Sequence, residues 1–243
     1  MKLALECPTG LLEMVQPFAD FNWILGSEVL KDEVYAKFYL ESSKVKYVDN
    51  SVNEEGEPLP LDKLKEVFQQ VNGTYVVSPD WIGDSKQTLD ALKGCVKDFG
   101  IDRVVPVLQG SDFEDTLSCL FSILALSPRQ IAIPYDICSL KTENPEIMSL
   151  RRALIVSHIP ADIYVHLLGF TSLEEFLWYQ RRPNVTGIDT GIPILLGLTG
   201  LDILDPLEDK SKPTFNEMSK MELNQTAWTA IIRNIALLRR YLP

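Results

Sequence analysis

The chain has 243 residues, of which 46% are hydrophobic, and its formal net charge is −11. Its apolar runs are shorter than the roughly 20 residues that cross a bilayer. Its acidic balance argues against a large, non-specific phosphate-binding surface. The opening stretch, MKLALECPTG, has too short an apolar part for a signal peptide. We therefore expect an intracellular, cytoplasmic protein, with no membrane partner, that forms one domain over residues 1–243.

Short β-like runs alternate with helix-like runs along the chain. The predicted strands are LALE at the start, NWIL (22–25), KYVD (46–49), TYVV (74–77), RVVPVL (103–108), QIAIP (130–134), DIYVHLLG (162–169) and TGID (186–189). Apolar residues at helical spacing predict helices over 61–71, 85–100, 111–124 and 172–182. The last of these carries a capping-box pattern from Ser172 to Glu175. A polar loop over 205–220 leads into a final helix at about 221–241.

This alternation predicts an α/β fold with a parallel sheet. Eight strands within about 190 residues favour a (β/α)₈ TIM barrel at the small end of its size range. A doubly wound open sheet is the alternative. It is disfavoured because no glycine-rich dinucleotide fingerprint follows the first strand.

The cysteines and histidines do not form a recognisable metal-binding pattern. The four cysteines, Cys7, Cys95, Cys119 and Cys138, are far apart, and there are only two histidines. The cysteines therefore fit reduced thiols that pack as small hydrophobic side chains. The sequence predicts no metal site and no organic cofactor.

Polar side chains follow several of the predicted strands. They are Asp49, Asp80, Gln109 and Asp189. In a barrel these positions surround one mouth, where catalytic residues lie. An aspartate after a strand also often caps a helix or forms an Asx turn. His166 lies within a strand-like run, as a satisfied core side chain or at the floor of the pocket.

Such a set suits chemistry on a glycosidic bond. Two carboxylates can perform retaining glycosyl transfer, one as the nucleophile and the other handling the proton. A further carboxylate and a glutamine can bind the hydrogen-bonding edge of a nucleobase. The residues leave open a base-exchange enzyme, a nucleoside or other glycoside hydrolase, and a catalytically silent barrel subunit that binds a partner or nucleic acid.

The ordered segments VDNS, VVSPD, VLQG, IAIP, HLLG and IDTGIP resemble those of the guanine transglycosylases, from about residue 20 to 195. Those enzymes are (β/α)₈ barrels that exchange guanine in a polynucleotide for a 7-deazaguanine. The resemblance is greatest to the short DNA-modifying branch of phages and bacteria. The zinc subdomain of the tRNA enzymes is not expected here, because the C-terminal third of the chain contains no cysteine.

The resemblance implies a role for each strand-end residue. Asp189 matches the nucleophile that attacks C1′ of the sugar, and Asp49 matches the general acid/base. The residues implied to bind the base are Asp80, Gln109, Gly110, Ile133 and Pro134 through their backbone, and His166. Gly110 is expected to leave room beside the base.

The resemblance also implies partners. The polymer is guanine-containing DNA, which we favour over tRNA because the chain is acidic and lacks the basic tRNA-binding region of the family. The second substrate is a free 7-deazaguanine base, in its nitrile, aminomethyl or amidine-type form. A homodimer is a candidate assembly, since the tRNA relatives form dimers.

Overall fold

The structure is a computed structural model that describes residues 1–135, 137, 145–170, 172–204, 218, 220–221 and 223–243. Its strands are β1 (Lys2–Leu5), β2 (Asn22–Leu25), β3 (Lys46–Asp49), β4 (Tyr75–Val77), β5 (Val104–Val105), β6 (Gln130–Pro134), β7 (Tyr164–Leu168) and β8 (Val185–Thr190). Cys138 and most of the predicted loop over 205–220 lie outside the described residues.

The described helices lie mostly between the strands. The α-helices are α1 (Leu12–Val15), α2 (Gly26–Lys31), α3 (Glu33–Glu41), α4 (Val52–Glu55), α5 (Leu61–Gln70), α6 (Ser85–Phe99), α7 (Phe113–Leu124), α8 (Pro145–Ser157), α9 (Ile192–Leu198) and α10 (Gln225–Tyr241). Short 3₁₀ helices span Thr9–Leu11, Gln16–Phe18 and Leu173–Tyr179.

The strands form two four-stranded parallel sheets, which confirms the predicted α/β class. One sheet has the order β1-β8-β7-β6, and the other has the order β2-β3-β4-β5. In register, Leu25 pairs with Asp49 in the second sheet, and Ala4 pairs with Asp189 in the first. Because all pairs are parallel, the carboxyl ends of the strands in each sheet lie along one edge.

Backbone contacts join the two sheets at both pairs of edges. Beyond β5, Leu108 N–H donates to the Ala132 carbonyl of β6 at 3.0 Å, and Ala132 N–H donates to Pro106 O at 2.8 Å. At the other side, Asp20 N–H donates to Leu3 O at 2.7 Å, just before β2. The Asp20 carboxylate accepts from Leu3 N–H at 2.8 Å. The chain therefore continues its hydrogen bonding from one sheet to the next.

Strands β2 and β6 are covered on both of their faces. Every residue of β2 and of β6 is buried, as expected for parallel strands with packing on both sides. A small core between the sheets contains Ala4, Phe21, Trp23, Val77, Val105, Val107 and Ala132. A larger core contains the residues that pack the helices against the sheets.

Three amphipathic helices agree closely with their predicted ranges. The predictions for 61–71, 85–100 and 111–124 correspond to α5, α6 and α7. Asp84 caps α6 by accepting from Gln87 N–H at 2.9 Å, and Asp112 caps α7 by accepting from Asp115 N–H at 2.8 Å. The final helix begins later than predicted, after Asn224, which accepts from Ala227 N–H at 2.9 Å.

The prediction over 172–182 is wrong in helix type and in its cap. The segment Leu173–Tyr179 is a 3₁₀ helix, and Ser172 makes no side-chain capping hydrogen bond. Glu175 does not complete a capping box, because its carboxylate is fully buried with Arg152 and Tyr179. An unpaired charge in the interior costs more free energy than a helix end without a side-chain cap, so the Glu175 carboxylate pairs with the buried guanidinium.

Candidate active site

A cavity of about 300 Å³ opens at the carboxyl ends of the strands. Its polar lining includes Glu6, Asp49, Glu54, Asp80, Gln109 and Asp189. Its apolar lining includes Trp23, Ile82, Pro134, Leu195 and Met218. A volume of this size lies at the lower end of the range of about 300–1,000 Å³ for ligand pockets, so it suits a small ligand.

Asp189 lies near the end of β8, with only 5% of its surface exposed. Its Oδ1 atom is 2.6 Å from Nε2 of His166 on the neighbouring strand β7. Glu6, which follows β1, also hydrogen-bonds the Asp189 side chain. The carboxylate is therefore held by its two neighbouring strands and still borders the cavity.

Burial raises the pKa of Asp189 from its ordinary 3.8 to about 7, because the ionised form loses its hydration. The hydrogen bond from Glu6 acts in the opposite direction, and the nearby charge of Asp49 raises the pKa further. A carboxylic group with a pKa near 7 is ionised in a useful fraction at neutral pH and is only weakly solvated. Both properties suit a nucleophile or a proton carrier.

Asp49 ends β3 and takes part in a local turn as well as in the cavity. Its Oδ2 atom accepts from Ser51 N–H at 2.8 Å. This is the geometry of an Asx turn, the structural role that the sequence also allowed for an aspartate after a strand. Burial and then the charge of Glu54 raise the pKa of Asp49 well above its usual range. The raised pKa of Asp49 favours its protonated form, and its side chain lines the cavity.

Two lining carboxyl groups, Glu6 and Glu54, were not among the predicted site residues. Glu6 is the last residue of the predicted strand LALE. The criterion that selected Asp49 and Asp189, a polar residue at the end of a predicted strand, therefore applies equally to Glu6. Glu54 comes from α4, in the loop after β3, and no spacing signal points to it. Burial and then the charge of Glu6 raise the pKa of Glu54 to about 8, so Glu54 is mostly protonated at pH 7.

Asp80 and Gln109 form a connected pair on the cavity wall. Gln109 Nε2 donates to Asp80 Oδ2 at 2.6 Å, and Gln109 Oε1 accepts from Gly83 N–H at 3.1 Å. Asn50 Nδ2 donates to Asp80 Oδ1 at 2.8 Å. Since Gly83 N–H can only donate, the orientation of the Gln109 amide is defined. This pair presents acceptor and donor atoms in a fixed arrangement, as recognition of a planar heterocycle requires.

Three predicted base-binding residues lie outside the cavity lining, whereas Pro134 lies within it. Ile133 is fully buried, because alternate residues of β6 point into the helix-facing core. His166 contacts Asp189 and does not line the cavity. Gly110 does not make room for a base. A Cβ atom there would lie 2.3 Å from Thr116 Oγ1 and 2.6 Å from Thr116 N, so Gly110 makes room for the first turn of α7.

Gly110→Ala is accordingly expected to lower the free energy of unfolding by roughly 1–3 kcal/mol through overpacking against α7. Denaturant unfolding followed by circular dichroism measures this. Gly10→Ala is the matched control, because a Cβ atom at Gly10 would have no neighbour within 4 Å. Equal stability of the two variants would contradict the packing role of Gly110.

A buried ion pair lies beneath the cavity. Arg152 of α8 and Glu175 both have fully buried side chains, and Arg152 Nη1 is 3.3 Å from Glu175 Oε1. Arg152 Nη1 also donates to the carbonyl of Gly169, a cavity-lining residue, at 3.0 Å. Tyr179 Oη donates to Glu175 Oε1 at 2.9 Å. The pair ties α8 and the Leu173–Tyr179 helix to the loop that follows β7.

Within the described part of the chain, no group of three or more histidine, cysteine, aspartate or glutamate side chains is arranged to hold a metal ion. Among the helices of the same residues, none is both long enough and apolar enough to cross a membrane. A scan against protein-family models finds none that matches the chain, and a search of curated proteins finds no match.

Proposed function

We propose that this protein is a base-exchange glycosyltransferase that replaces guanine in DNA with a 7-deazaguanine through a covalent aspartyl-glycosyl intermediate. One observation carries the proposal. A buried, hydrogen-bonded Asp189 shares a cavity of about 300 Å³ with a second carboxyl group, Asp49, and with the linked pair Asp80 and Gln109. In this combination Asp189 would be the nucleophile, Asp49 would carry the proton, and the Asp80–Gln109 pair would bind the hydrogen-bonding edge of the base.

The reaction would proceed in two balanced displacements. A carboxylate oxygen of Asp189 attacks C1′, the C1′–N9 bond breaks, and its electron pair leaves with guanine. Asp49 gives its proton to the departing base. The 7-deazaguanine then enters, Asp49 takes its N9 proton, and N9 attacks C1′ and displaces Asp189. The negative charge of Asp189, and that of Asp49 once its proton has moved to the base, stabilises the oxocarbenium-like transition states.

The strand arrangement supports a further part of the proposal, a small, closed (β/α)₈ barrel, for which the sequence predicts no zinc subdomain. The two parallel sheets are linked by the hydrogen bonds that Ala132 makes with Leu108 and Pro106 and by those between Leu3 and Asp20. In a closed barrel these links would bring the ends of all eight strands around one mouth.

The target base must leave the double helix to enter a cavity of about 300 Å³ whose carboxyl groups lie at the strand ends. We propose that the protein takes a flipped guanine or a guanine in a single strand. The Asp80–Gln109 pair would bind its hydrogen-bonding edge. The same pair would then bind the 7-deazaguanine, which presents the same edge.

The covalent step is expected to accelerate as pH rises through about 7, because Asp189 attacks only in its ionised form. Well below this pKa the rate is expected to rise about tenfold per pH unit. Glu6, Asp49 and Glu54 face the same carboxylate and broaden the transition. Single-turnover trapping of the protein–DNA adduct between pH 5 and 8 measures the profile. A rate that is flat over this range would contradict the role of Asp189.

Base exchange is tested by mass spectrometry of nucleosides from digested polymers. Duplex DNA, single-stranded DNA and tRNA are each incubated with the full chain and with nitrile, aminomethyl and amidine-type 7-deazaguanines. Incorporation into DNA supports the proposal. Incorporation into tRNA alone overturns the choice of polymer. Release of guanine without incorporation indicates hydrolysis, and no change in any polymer overturns base exchange.

A further inference from the structure

His166 contacts Asp189 but takes no part in the bond changes or proton transfers of the proposed reaction. The histidine lies in the middle of β7 with 4% of its surface exposed, and it does not line the cavity. Its Nε2 atom is 2.6 Å from Oδ1 of Asp189. A contact this short, between two buried side chains on adjacent strands, has a defined direction.

The imidazole ring is held from several sides. Trp23 stacks on it with ring centroids 4.3 Å apart and an angle of 3° between the planes. Phe21 contacts it edge-on at 5.7 Å. A Cβ atom at Gly187 would lie 2.8 Å from His166 Nδ1, so only glycine at this position of β8 lets the ring lie against the strand. The ring therefore cannot rotate away from Asp189 without disturbing the core between the sheets.

The protonation state of His166 suits a neutral hydrogen-bond donor. Burial, with a smaller effect from the charge of Arg152, lowers the pKa of His166 to about 3. The ring therefore carries a single N–H at neutral pH. When Asp189 is ionised, that proton must be on Nε2 to satisfy the 2.6 Å contact. A neutral donor orients the carboxylate without cancelling its negative charge.

We propose that His166 is a positioning residue for the nucleophile: its Nε2–H holds Oδ1 of Asp189, so that Oδ2 points into the cavity and attacks the anomeric carbon. This inference rests on the proposed base exchange. In the step, the Oδ2–C1′ bond forms and the C1′–N9 bond breaks, with its electron pair leaving on the base. His166 keeps its proton throughout. Its contribution is to fix the rotation of the carboxylate before attack.

Two substitutions separate this role from packing. His166→Phe keeps an aromatic ring against Trp23 but removes the donor. His166→Gln provides an N–H donor at a similar reach. We expect His166→Phe to lower kcat about 10- to 100-fold, the effect of losing a hydrogen bond to a charged group, with little change in KM for the free base. His166→Gln is expected to recover most of kcat.

Thermal unfolding of both variants shows whether they fold. A His166→Phe protein with wild-type kcat overturns the positioning role. The role is also overturned if a folded His166→Gln protein is as slow as His166→Phe, because a correctly placed donor would then have no effect.

A second measurement does not depend on activity. The chain has only two histidines, and His158 is exposed directly after the end of α8, so the ¹⁵N-histidine NMR spectrum contains one buried ring and one internal reference. We expect His166 to be the neutral Nε2–H form with a strongly downfield Nε2 proton. Asp189→Asn should move that proton upfield and leave His158 unchanged.

An unchanged His166 signal in Asp189→Asn overturns the pairing, whatever the activity of the enzyme. An intact pairing in a wild-type protein that exchanges no base overturns the proposed function, and the positioning role with it. The two failures are therefore distinguishable.

Discussion

Asp189→Asn is expected to abolish base exchange and covalent trapping, with a loss of rate on the order of 10⁴- to 10⁶-fold, as for removal of a catalytic nucleophile. Asparagine has nearly the same shape and its carbonyl oxygen can accept from His166 Nε2, so the neighbouring strands are undisturbed. The variant therefore removes the negative charge of the proposed nucleophile and keeps the shape of its side chain. Denaturing gels of protein incubated with DNA, together with nucleoside mass spectrometry, measure both outcomes.

The same substitution has an expected effect on stability that serves as its control. Because the folded-state pKa of Asp189 is about 7 and its ordinary value is 3.8, the unfolded chain releases this proton first as pH rises. Asp189 therefore contributes a loss of stability to the wild type between about pH 4 and pH 7, and Asp189→Asn removes that contribution while those of Asp49 and Glu54 remain. We expect the variant to melt at the same temperature as the wild type, or higher, at pH 8. A large decrease in Tm would mean that lost activity reflects misfolding.

Arg152→Met is expected to lower the free energy of unfolding by about 3–5 kcal/mol, the usual cost of leaving a buried charge without its partner. Both side chains of the Arg152–Glu175 pair are fully buried, so Glu175 would remain in the interior without a cation. The loop that follows β7 would also lose the hydrogen bond to Gly169. Chemical denaturation of the wild type and the variant measures the difference.

Arg151→Met, at the adjacent position of α8, is the matched control because Arg151 is only partly buried. We expect it to be much less destabilising than Arg152→Met, because Arg151 itself is partly exposed to water. The double substitution Arg152→Met with Glu175→Met should be less destabilised than the sum of the two single changes, because neither then leaves an unpaired charge. Strict additivity, or equal effects at Arg151 and Arg152, would show that the buried pair does not couple the two helical segments.

The strands were the most predictable part of the fold. NWIL, KYVD and QIAIP coincide with β2, β3 and β6 at both ends. Parallel strands covered on both faces read as short, continuous apolar runs, and such runs are visible without tertiary information. The segment over 172–182 was less predictable, because Glu175 pairs with the buried Arg152, which is 23 residues away in the sequence.

The candidate site was partly predictable, because residues at strand ends share one edge of a parallel sheet. Asp49, Asp80, Gln109 and Asp189 line the cavity, as that rule expects. The rule should also have selected Glu6, which ends the first predicted strand. It gave no indication of Glu54, which reaches the cavity from the helix after β3.

The sequence by itself determined the α/β class and the edge at which the polar groups meet, because periodicity and strand ends are local features of the chain. Only the tertiary structure decided what each side chain contacts. His166 contacts Asp189, and the space beside Gly110 is filled by Thr116. Such partners lie on neighbouring strands and helices, at distances in sequence that no local pattern encodes. Burial by those neighbours also sets the pKa of Asp189 near 7, and with it the chemistry that the cavity supports.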